Sequence, residues 1–126
     1  FGIRFLLKGI YTYNGKYYFH TELKNETNVP FRIDYVTFRI VDKKIAKRTV
    51  IQERPLIPLR MYKPLEDLSG KTTEQNVFLL DLFTLDHDKV LLVGIYEKNG
   101  GRHQLLQLEN SDLMRAKLIS DMHIKF

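Results

Sequence analysis

The chain has 126 residues, of which 44% are hydrophobic, and it carries a formal net charge of +5 and no cysteine. This size and composition predict one globular domain with a single core and argue against intrinsic disorder. The lack of cysteine excludes disulfide bonds, thiolate catalysis and cysteine-bound zinc, and no apolar run reaches the length of about eighteen residues that a transmembrane helix needs.

The first predicted element is a β-hairpin. Residues 3–13 and 16–24 alternate apolar and polar side chains, which is typical of half-buried strands. Asn14-Gly15 separates them, and both residues tolerate the positive φ of a tight hairpin turn. The side chains expected to face inwards are Ile3, Phe5, Leu7, Tyr11 and Tyr13 in the first strand and Tyr17, Phe19, Thr21 and Leu23 in the second.

A third strand is predicted from about Arg32 to Asp42, with its apolar face at Val36, Phe38 and Ile40. A cationic turn, residues 43–48, leads to a fourth strand from about Thr49 to Arg54. Pro55 and Pro58 follow, and neither can donate a ladder hydrogen bond. We therefore expect this end of the segment to lie on a sheet edge.

The second half of the chain predicts further strands. Residues 63–74 predict a loop, and residues 90–96 predict a central strand covered on both faces. The apolar run of residues 75–83 is too short for its pattern to distinguish a strand from a helix, and the neighbouring strands favour a strand. Asn99-Gly100-Gly101 predicts a hairpin turn that leads into residues 102–108. Asn110-Ser111-Asp112 offers an N-cap for a short helix that contains Leu113, Met114, Leu118 and Ile119, and the last residues predict a tail or a final short strand.

These elements predict the fold class. About seven strands with turn signals between them, and at most one short C-terminal helix, indicate an all-β fold. Two antiparallel sheets each have one apolar face, and packing the two faces together buries both. We therefore predict an immunoglobulin-like antiparallel β-sandwich that occupies residues 1–126 as a single domain.

Candidate catalytic and metal-binding residues are few. His20, His87, His103 and His123 form no pair at ligand spacing, and Asp86-His87-Asp88 is interpreted as a hydrated turn. None of the three serines, Ser69, Ser111 and Ser120, has the setting of a nucleophile elbow, and no glycine-rich loop precedes a helix. Asn25-Glu26-Thr27 matches a glycosylation sequon but is interpreted as an ordinary loop. We predict no enzymatic activity, no cofactor and no metal.

The positive charge is local. Residues 39–63 hold eight basic residues against Asp42 and Glu53, a net +6, which leaves −1 for the rest of the chain. These charges fit an edge guarded against aggregation, a docking surface for an acidic partner or an anionic membrane, or a nucleic-acid site. A carbohydrate-binding module would instead show a ladder of exposed aromatic rings on one sheet face. The candidate docking residues are Lys43, Lys44, Lys47, Arg48, Gln52, Arg54 and Arg60.

Four blocks of sequence resemble a known family. They are FRIDYVTFRIVDKKIAKRTVIQE from Phe31, PLIPLR from Pro55, EKNGGR from Glu97 and ENSDLMRAK from Glu109. In this order they closely resemble the TraN proteins of Bacteroides-type conjugative transposons. The resemblance spans about residues 31–117, and the hairpin of residues 3–24 also fits.

The resemblance implies a non-enzymatic component of a conjugative transfer apparatus, a mating channel similar to type IV secretion systems. Such proteins are comparable to TrbG/CagX-like subunits, whose C-terminal β-sandwich docks a small lipoprotein. It implies a periplasmic, outer-membrane-associated protein of a Gram-negative cell. Because the chain begins with Phe1 rather than methionine, we expect it to be the C-terminal domain of a longer exported precursor.

Both lines of reasoning lead to one expectation. The domain docks other subunits of the conjugation apparatus along the edge at residues 49–59, where β-augmentation could recruit a partner strand. The partners include, by resemblance, a small lipoprotein. The alternative is a nucleic-acid-binding module that uses the basic segment 39–63, which lacks any recognised nucleic-acid motif.

Overall fold

The structure, a computed structural model, describes residues 2–43 and 53–123. Within these ranges the chain forms nine strands, one short α-helix and one 3-10 turn. In chain order they are β1 (Ile3–Tyr13), β2 (Lys16–Asn25), β3 (Ile33–Asp42), β4 (Arg54–Leu56), β5 (Arg60–Met61), β6 (Thr72–Asp81), β7 (Lys89–Glu97), β8 (Gln104–Leu108), α1 (Asn110–Met114), β9 (Lys117–Leu118) and the 3-10 turn Ile119–Asp121.

The strands form two sheets. One has the order β5-β6-β2-β1-β9 and the other the order β4-β3-β7-β8. All neighbours are antiparallel except β1 and β9. The orders β1-β2-β6-β5 and β4-β3-β7-β8 are those of the two sheets of an immunoglobulin domain, the second extended by one edge strand. The predicted immunoglobulin-like sandwich is therefore confirmed, and the two strands beyond the predicted seven are the two-residue strands β5 and β9.

Aromatic side chains join the two sheets. Phe38 of β3 lies 5.8 Å from Phe19 of β2 and 5.4 Å from Phe78 of β6, measured between ring centroids. All three side chains are buried. Tilted rings at these separations combine large buried areas with favourable edge-to-face contacts. The inward face predicted for β3 is confirmed at Phe38 and Ile40, and Val36 packs partly buried against the same core.

The predicted hairpin is confirmed, but half of its first strand faces the other way. β1 and β2 pair from Ile3 with Asn25 to Tyr13 with Lys16, and Asn14 and Gly15 have φ of 50° and 72°. The register shifts between Leu7 and Gly9, which is a β-bulge at Lys8. An extra residue reverses the alternation beyond it. Ile10 is therefore buried and Tyr13 is 60% exposed, so the inward assignment of Tyr11 and Tyr13 was wrong.

Several boundaries differ from the prediction. The predicted fourth strand falls mostly on residues 49–52, outside the described residues, whereas β4 runs from Arg54 to Leu56 and contains Pro55. β4 ends its sheet, which confirms the edge expected from the prolines. β6 begins at Thr72, inside the predicted loop, because Thr72 to Glu74 pair with the end of β2.

The C-terminal helix is shorter than predicted and begins one residue earlier. Its N-cap is Glu109, which forms a capping box with Asp112; the Glu109 N–H donates to Asp112 Oδ2 at 2.8 Å. The helix ends at Met114. Leu118, expected in the helix, lies in β9, which pairs in parallel with Tyr11 and Thr12 of β1. Pairing with a distant strand therefore overrides the local helical pattern.

Arg102 clamps the β7–β8 hairpin to the rest of the domain. Its Nη2 donates to Glu97 Oε2 at 2.5 Å and to the Pro30 carbonyl at 2.8 Å, and its guanidinium lies 5.5 Å from the centre of the Phe31 ring. The hydrogen bond from Arg102 lowers the pKa of the Glu97 carboxyl below its ordinary value of 4.5, against the smaller opposing effect of burial.

Arg102→Ala is expected to lower the free energy of unfolding by about 2–3 kcal/mol at pH 7, because it leaves the half-buried Glu97 unpaired. A depressed carboxyl pKa contributes stability above the unfolded value, and that contribution is lost as the pH falls through the folded value. Urea unfolding at pH 7 and pH 3 should therefore show a smaller difference between variant and wild type at pH 3.

Arg115→Ala is the matched control. Arg115 pairs with Asp112 across an exposed helix turn, with 74% of its side chain exposed, and such pairs contribute less than about 1 kcal/mol. An Arg102 variant as stable as the Arg115 variant at pH 7 would contradict the role of the clamp.

Candidate docking edge

The structure separates the described members of the predicted docking set. Lys43 follows β3 and pairs with Glu109, Nζ to Oε1, at 2.7 Å. Arg54 begins β4 in one sheet and Arg60 begins β5 in the other. Lys44, Lys47, Arg48 and Gln52 lie outside the described residues. The described part of the basic segment therefore lies at more than one place on the sandwich.

One edge of the sandwich is only partly closed. β4 pairs with three residues of β3, from Phe38 to Ile40. On its other side β3 continues its pairing with β7 down to Ile33. Residues 34–37 of β3, which we call the open segment, have no strand beside them on the β4 side within the described ranges. A row of unpaired main-chain groups is a template for pairing with another chain.

The prolines explain why β4 is short. Pro55 lies opposite Arg39 and has no N–H to donate, and Pro58 follows three residues later. By Leu59 the chain has crossed to the other sheet, where the Leu59 N–H donates to the Leu79 carbonyl at 2.7 Å. The crossing carries the chain away from β3 before it can cover the open segment.

A groove lies between the open segment and the crossing chain. Tyr35 and Val36 of β3 line one side, Leu59 and Met61 the other, and the buried Phe78 of β6 also contributes. Its volume is about 290 Å³. Arg60 also lines the groove and supplies a positive charge beside otherwise apolar walls. An apolar groove with a few polar groups at its border is the usual form of a binding site.

Residues 57–62, which we call the crossing segment, expose an unusual amount of apolar surface. Ile57 is 79% exposed, and Leu59, Met61 and Tyr62 are also exposed. Soluble monomers rarely expose contiguous apolar patches of this kind unless the patch binds something. The sequence does carry a signal for this patch, because Ile57, Leu59 and Met61 alternate as in a strand. The docking residues predicted from charge include none of these three, although the edge predicted from the prolines, residues 49–59, contains Ile57 and Leu59.

The buried side chain of Asn25 is held by hydrogen bonds within the domain. Asn25 is buried, and its Nδ2 donates to the carbonyls of Val29, Leu68 and Ser69, so it is not accessible for glycosylation.

Among residues 2–43 and 53–123, no group of three or more histidine and carboxylate residues could hold a metal ion. The same residues contain no helix with the length and hydropathy needed to span a bilayer.

Aromatic rings also lie in a row on the outer face of the four-stranded sheet. Tyr35 and Tyr96 stack at 4.7 Å with planes 20° apart, and Tyr96 and His103 stack at 5.7 Å and 14°. Stacked in this way, the rings cover one another's faces. A sugar platform presents ring faces to the ligand, so this row does not have the form expected of a carbohydrate-binding module.

Comparison with known proteins gives one assignment. A search of the curated proteins finds no match. The sequence profile of one protein family, described as Domain of unknown function (DUF4138), matches residues 1–118. This match covers nearly the whole chain and includes every strand of both sheets. The chain therefore belongs to the DUF4138 family.

Proposed function

We propose that the protein is a non-enzymatic docking domain of a conjugative transfer apparatus, where it binds neighbouring subunits at the cell envelope. The observation that carries this proposal is the partly closed edge, where Ile57, Leu59 and Met61 are exposed beside the open segment, which has no strand on its β4 side among residues 2–43 and 53–123. Apolar surface and free main-chain groups together favour a protein partner over a soluble small molecule.

The resemblance to TraN proteins supports the choice of system. Two of the resembling blocks, residues 31–53 and 55–60, contain β3, most of β4 and residues 57–60, so they include most of the candidate docking edge. On this proposal the protein lies in the periplasm and associates with the outer membrane through its partners, among them a small lipoprotein. In this role the domain supplies a rigid sandwich with an edge that binds partner proteins, and other subunits carry out any catalysis.

The ion pairs weigh against the nucleic-acid alternative. Arg39 pairs with Glu53 at 2.8 Å and Lys43 with Glu109 at 2.7 Å. Because each of these cations is already paired with a carboxylate of the domain, it would interact less strongly with the phosphates of a nucleic acid. A gel-shift series in rising salt separates the two functions, because nucleic-acid binding falls steeply with salt through counterion release.

Co-purification from the envelope of conjugating cells tests the proposal. The double variant Ile57→Asp with Leu59→Asp is expected to reduce the recovered partner subunits at least about tenfold, because charge in an apolar contact is costly. Both residues are exposed, so the melting temperature should change little. The test uses the full-length protein, and mass spectrometry identifies and quantifies the subunits.

Two further variants complete the experiment. Leu105→Asp with Met114→Asp places the same charges on exposed apolar residues of β8, which ends the sheet opposite β4, and of α1, and it should leave recovery unchanged. Lys44→Glu with Lys47→Glu tests the basic segment and is expected to weaken recovery. Undiminished assembly in the Ile57 and Leu59 variant would refute the docking role of this edge.

A further inference from the structure

We propose that the groove beside the open segment accepts an extended peptide segment of a partner protein, which adds a strand to β3 and carries acidic as well as apolar side chains. This inference rests on the docking role proposed above and specifies its partner. Three features carry it: the direction of the main-chain groups of β3, the limits of the open segment, and the charge and shape of the groove.

The main chain of β3 is arranged to accept a strand. Because Pro55 cannot donate, the ladder bonds between β3 and β4 are expected at the flanking pairs, Phe38 with Leu56 and Ile40 with Arg54. Main-chain groups along a strand point alternately to its two sides. The N–H and C=O of Val36 therefore point the same way as those of Phe38, towards the groove and away from β7.

The open segment has defined ends. Upstream, Phe31 and Leu68 exchange two backbone hydrogen bonds of 2.8 Å, so that part of the chain is already paired. A register shift between Ile33 and Tyr35 marks a bulge at Asp34. Downstream, pairing with β4 begins at Phe38. A strand added between these two limits would be short, because the chain on either side of the open segment is already paired.

The groove selects for the side chains of that strand. A strand paired with β3 would direct alternate side chains towards Leu59, Met61 and Phe78, where the groove has room for a large apolar group. Arg60, which is exposed, lies at the same groove and favours a carboxylate on the incoming peptide. An apolar residue flanked by acidic ones therefore matches the groove.

Charge argues against a second copy of the same chain. The chain has a net charge of +5, and a symmetric pairing of two β3 edges would bring a second Arg60 to the same groove. Like charges across a contact suppress that partner. A segment of opposite charge is attracted by the same field, which also raises its association rate.

A phage-displayed library of random heptapeptides, selected on the protein, tests the inference. We expect enrichment of extended sequences that combine Asp or Glu with large apolar residues. In fluorescence anisotropy, the best peptide should lose at least about tenfold in affinity when alternate amides are N-methylated, because methylation blocks strand pairing. Failure to enrich peptides, or enrichment of basic ones, would overturn the inference.

Two variants locate the site. Val36→Pro removes an N–H on the open side and spares the ladder to β7, so the fold should persist while peptide affinity falls at least about tenfold. Arg60→Glu should weaken binding about threefold to tenfold through charge alone. Arg54→Glu is the matched control, because Arg54 lies on the same edge but does not line this groove. Equal affinity in all three variants would place the peptide elsewhere and refute the proposal.

The outcomes separate this inference from the docking function. Co-purification that depends on Ile57 and Leu59 but survives Val36→Pro and Arg60→Glu would overturn the peptide groove and leave the docking domain in place. A concentration-dependent dimer in analytical ultracentrifugation that Val36→Pro abolishes would assign the groove to a second copy, which also overturns it. Peptide binding at the groove without any co-purified subunit would support the groove and count against the transfer apparatus.

Discussion

Asn25→Ala is expected to lower the free energy of unfolding by about 3 kcal/mol, because it removes several hydrogen bonds inside the domain at once. The side chain is 1% exposed. Its Nδ2 donates to the Val29 carbonyl at 2.8 Å and, more weakly, to the carbonyls of Leu68 and Ser69 at 3.3 Å, while its Oδ1 accepts from the Thr27 N–H at 3.0 Å. It therefore joins the end of β2 to two loops.

Thermal unfolding measures this effect. For a domain of this size, the loss corresponds to a fall in melting temperature of about 10–15 °C. Asn28→Ala is the control, because Asn28 is in the same loop but exposed, and surface substitutions usually change stability by less than about 0.5 kcal/mol. Similar melting temperatures for the two variants would show that the Asn25 contacts contribute little.

The Asn25 contacts also bear on the candidate docking edge. The Leu68 carbonyl that accepts from Asn25 also accepts from the Phe31 N–H at 2.8 Å. This pairing of Phe31 with Leu68 closes the upstream end of the open segment. We therefore expect Asn25→Ala to loosen the groove as well as the core, and peptide binding should weaken in the folded fraction of that variant.

Phe38→Ala is expected to destabilise the domain by about 3–5 kcal/mol, the usual cost of truncating a large buried aromatic side chain. Phe38 is 1% exposed and contacts Phe19 and Phe78 of the opposite sheet. Its removal leaves a cavity between the sheets that the neighbouring rings can fill only in part. The change in midpoint of urea unfolding, at constant slope, measures the loss.

Tyr35→Ala provides the comparison on the same strand. Tyr35 is also aromatic, but it lies on the outer face of β3, is 47% exposed and stacks on Tyr96. Its truncation should cost about 1 kcal/mol, since an aromatic pair contributes about 0.5–1.5 kcal/mol beyond its buried area. A Phe38 variant no less stable than the Tyr35 variant would mean that the sheets are held together elsewhere.

Local pattern was enough to predict most strands and the fold class. The alternation in β2 and β3 correctly identifies Phe19 and Phe38 as core residues, because one face of each strand must be buried. Asn14-Gly15 correctly places the first turn, since its positive φ angles are a property of those residues. Pro55 correctly marks a sheet edge for a local reason as well, because a proline has no N–H to donate to a neighbouring strand.

Long-range pairing was needed to locate the open segment and its groove, and to correct several strand assignments. The bulge at Lys8, which turns Tyr13 outwards, depends on the register between two strands and not on the residues of β1 alone. β9 is a strand because Lys117 meets Tyr11, more than a hundred residues earlier in the chain. The open segment has the alternating pattern of any half-buried strand, and nothing in that pattern says that β4 will stop short of it.

By itself, the sequence determined most of the long strands, most of their apolar faces and the hairpin turns, because these depend mainly on neighbouring residues. The tertiary structure alone decided which strands lie side by side, and so which main-chain groups remain unpaired. The free edge of β3 and its groove arise from the crossing of residues 55–59 between two sheets, a relation among distant segments. That is why the sequence pointed to the charges of this region and to an edge at residues 49–59, whereas the structure points to the backbone of β3 beside that edge.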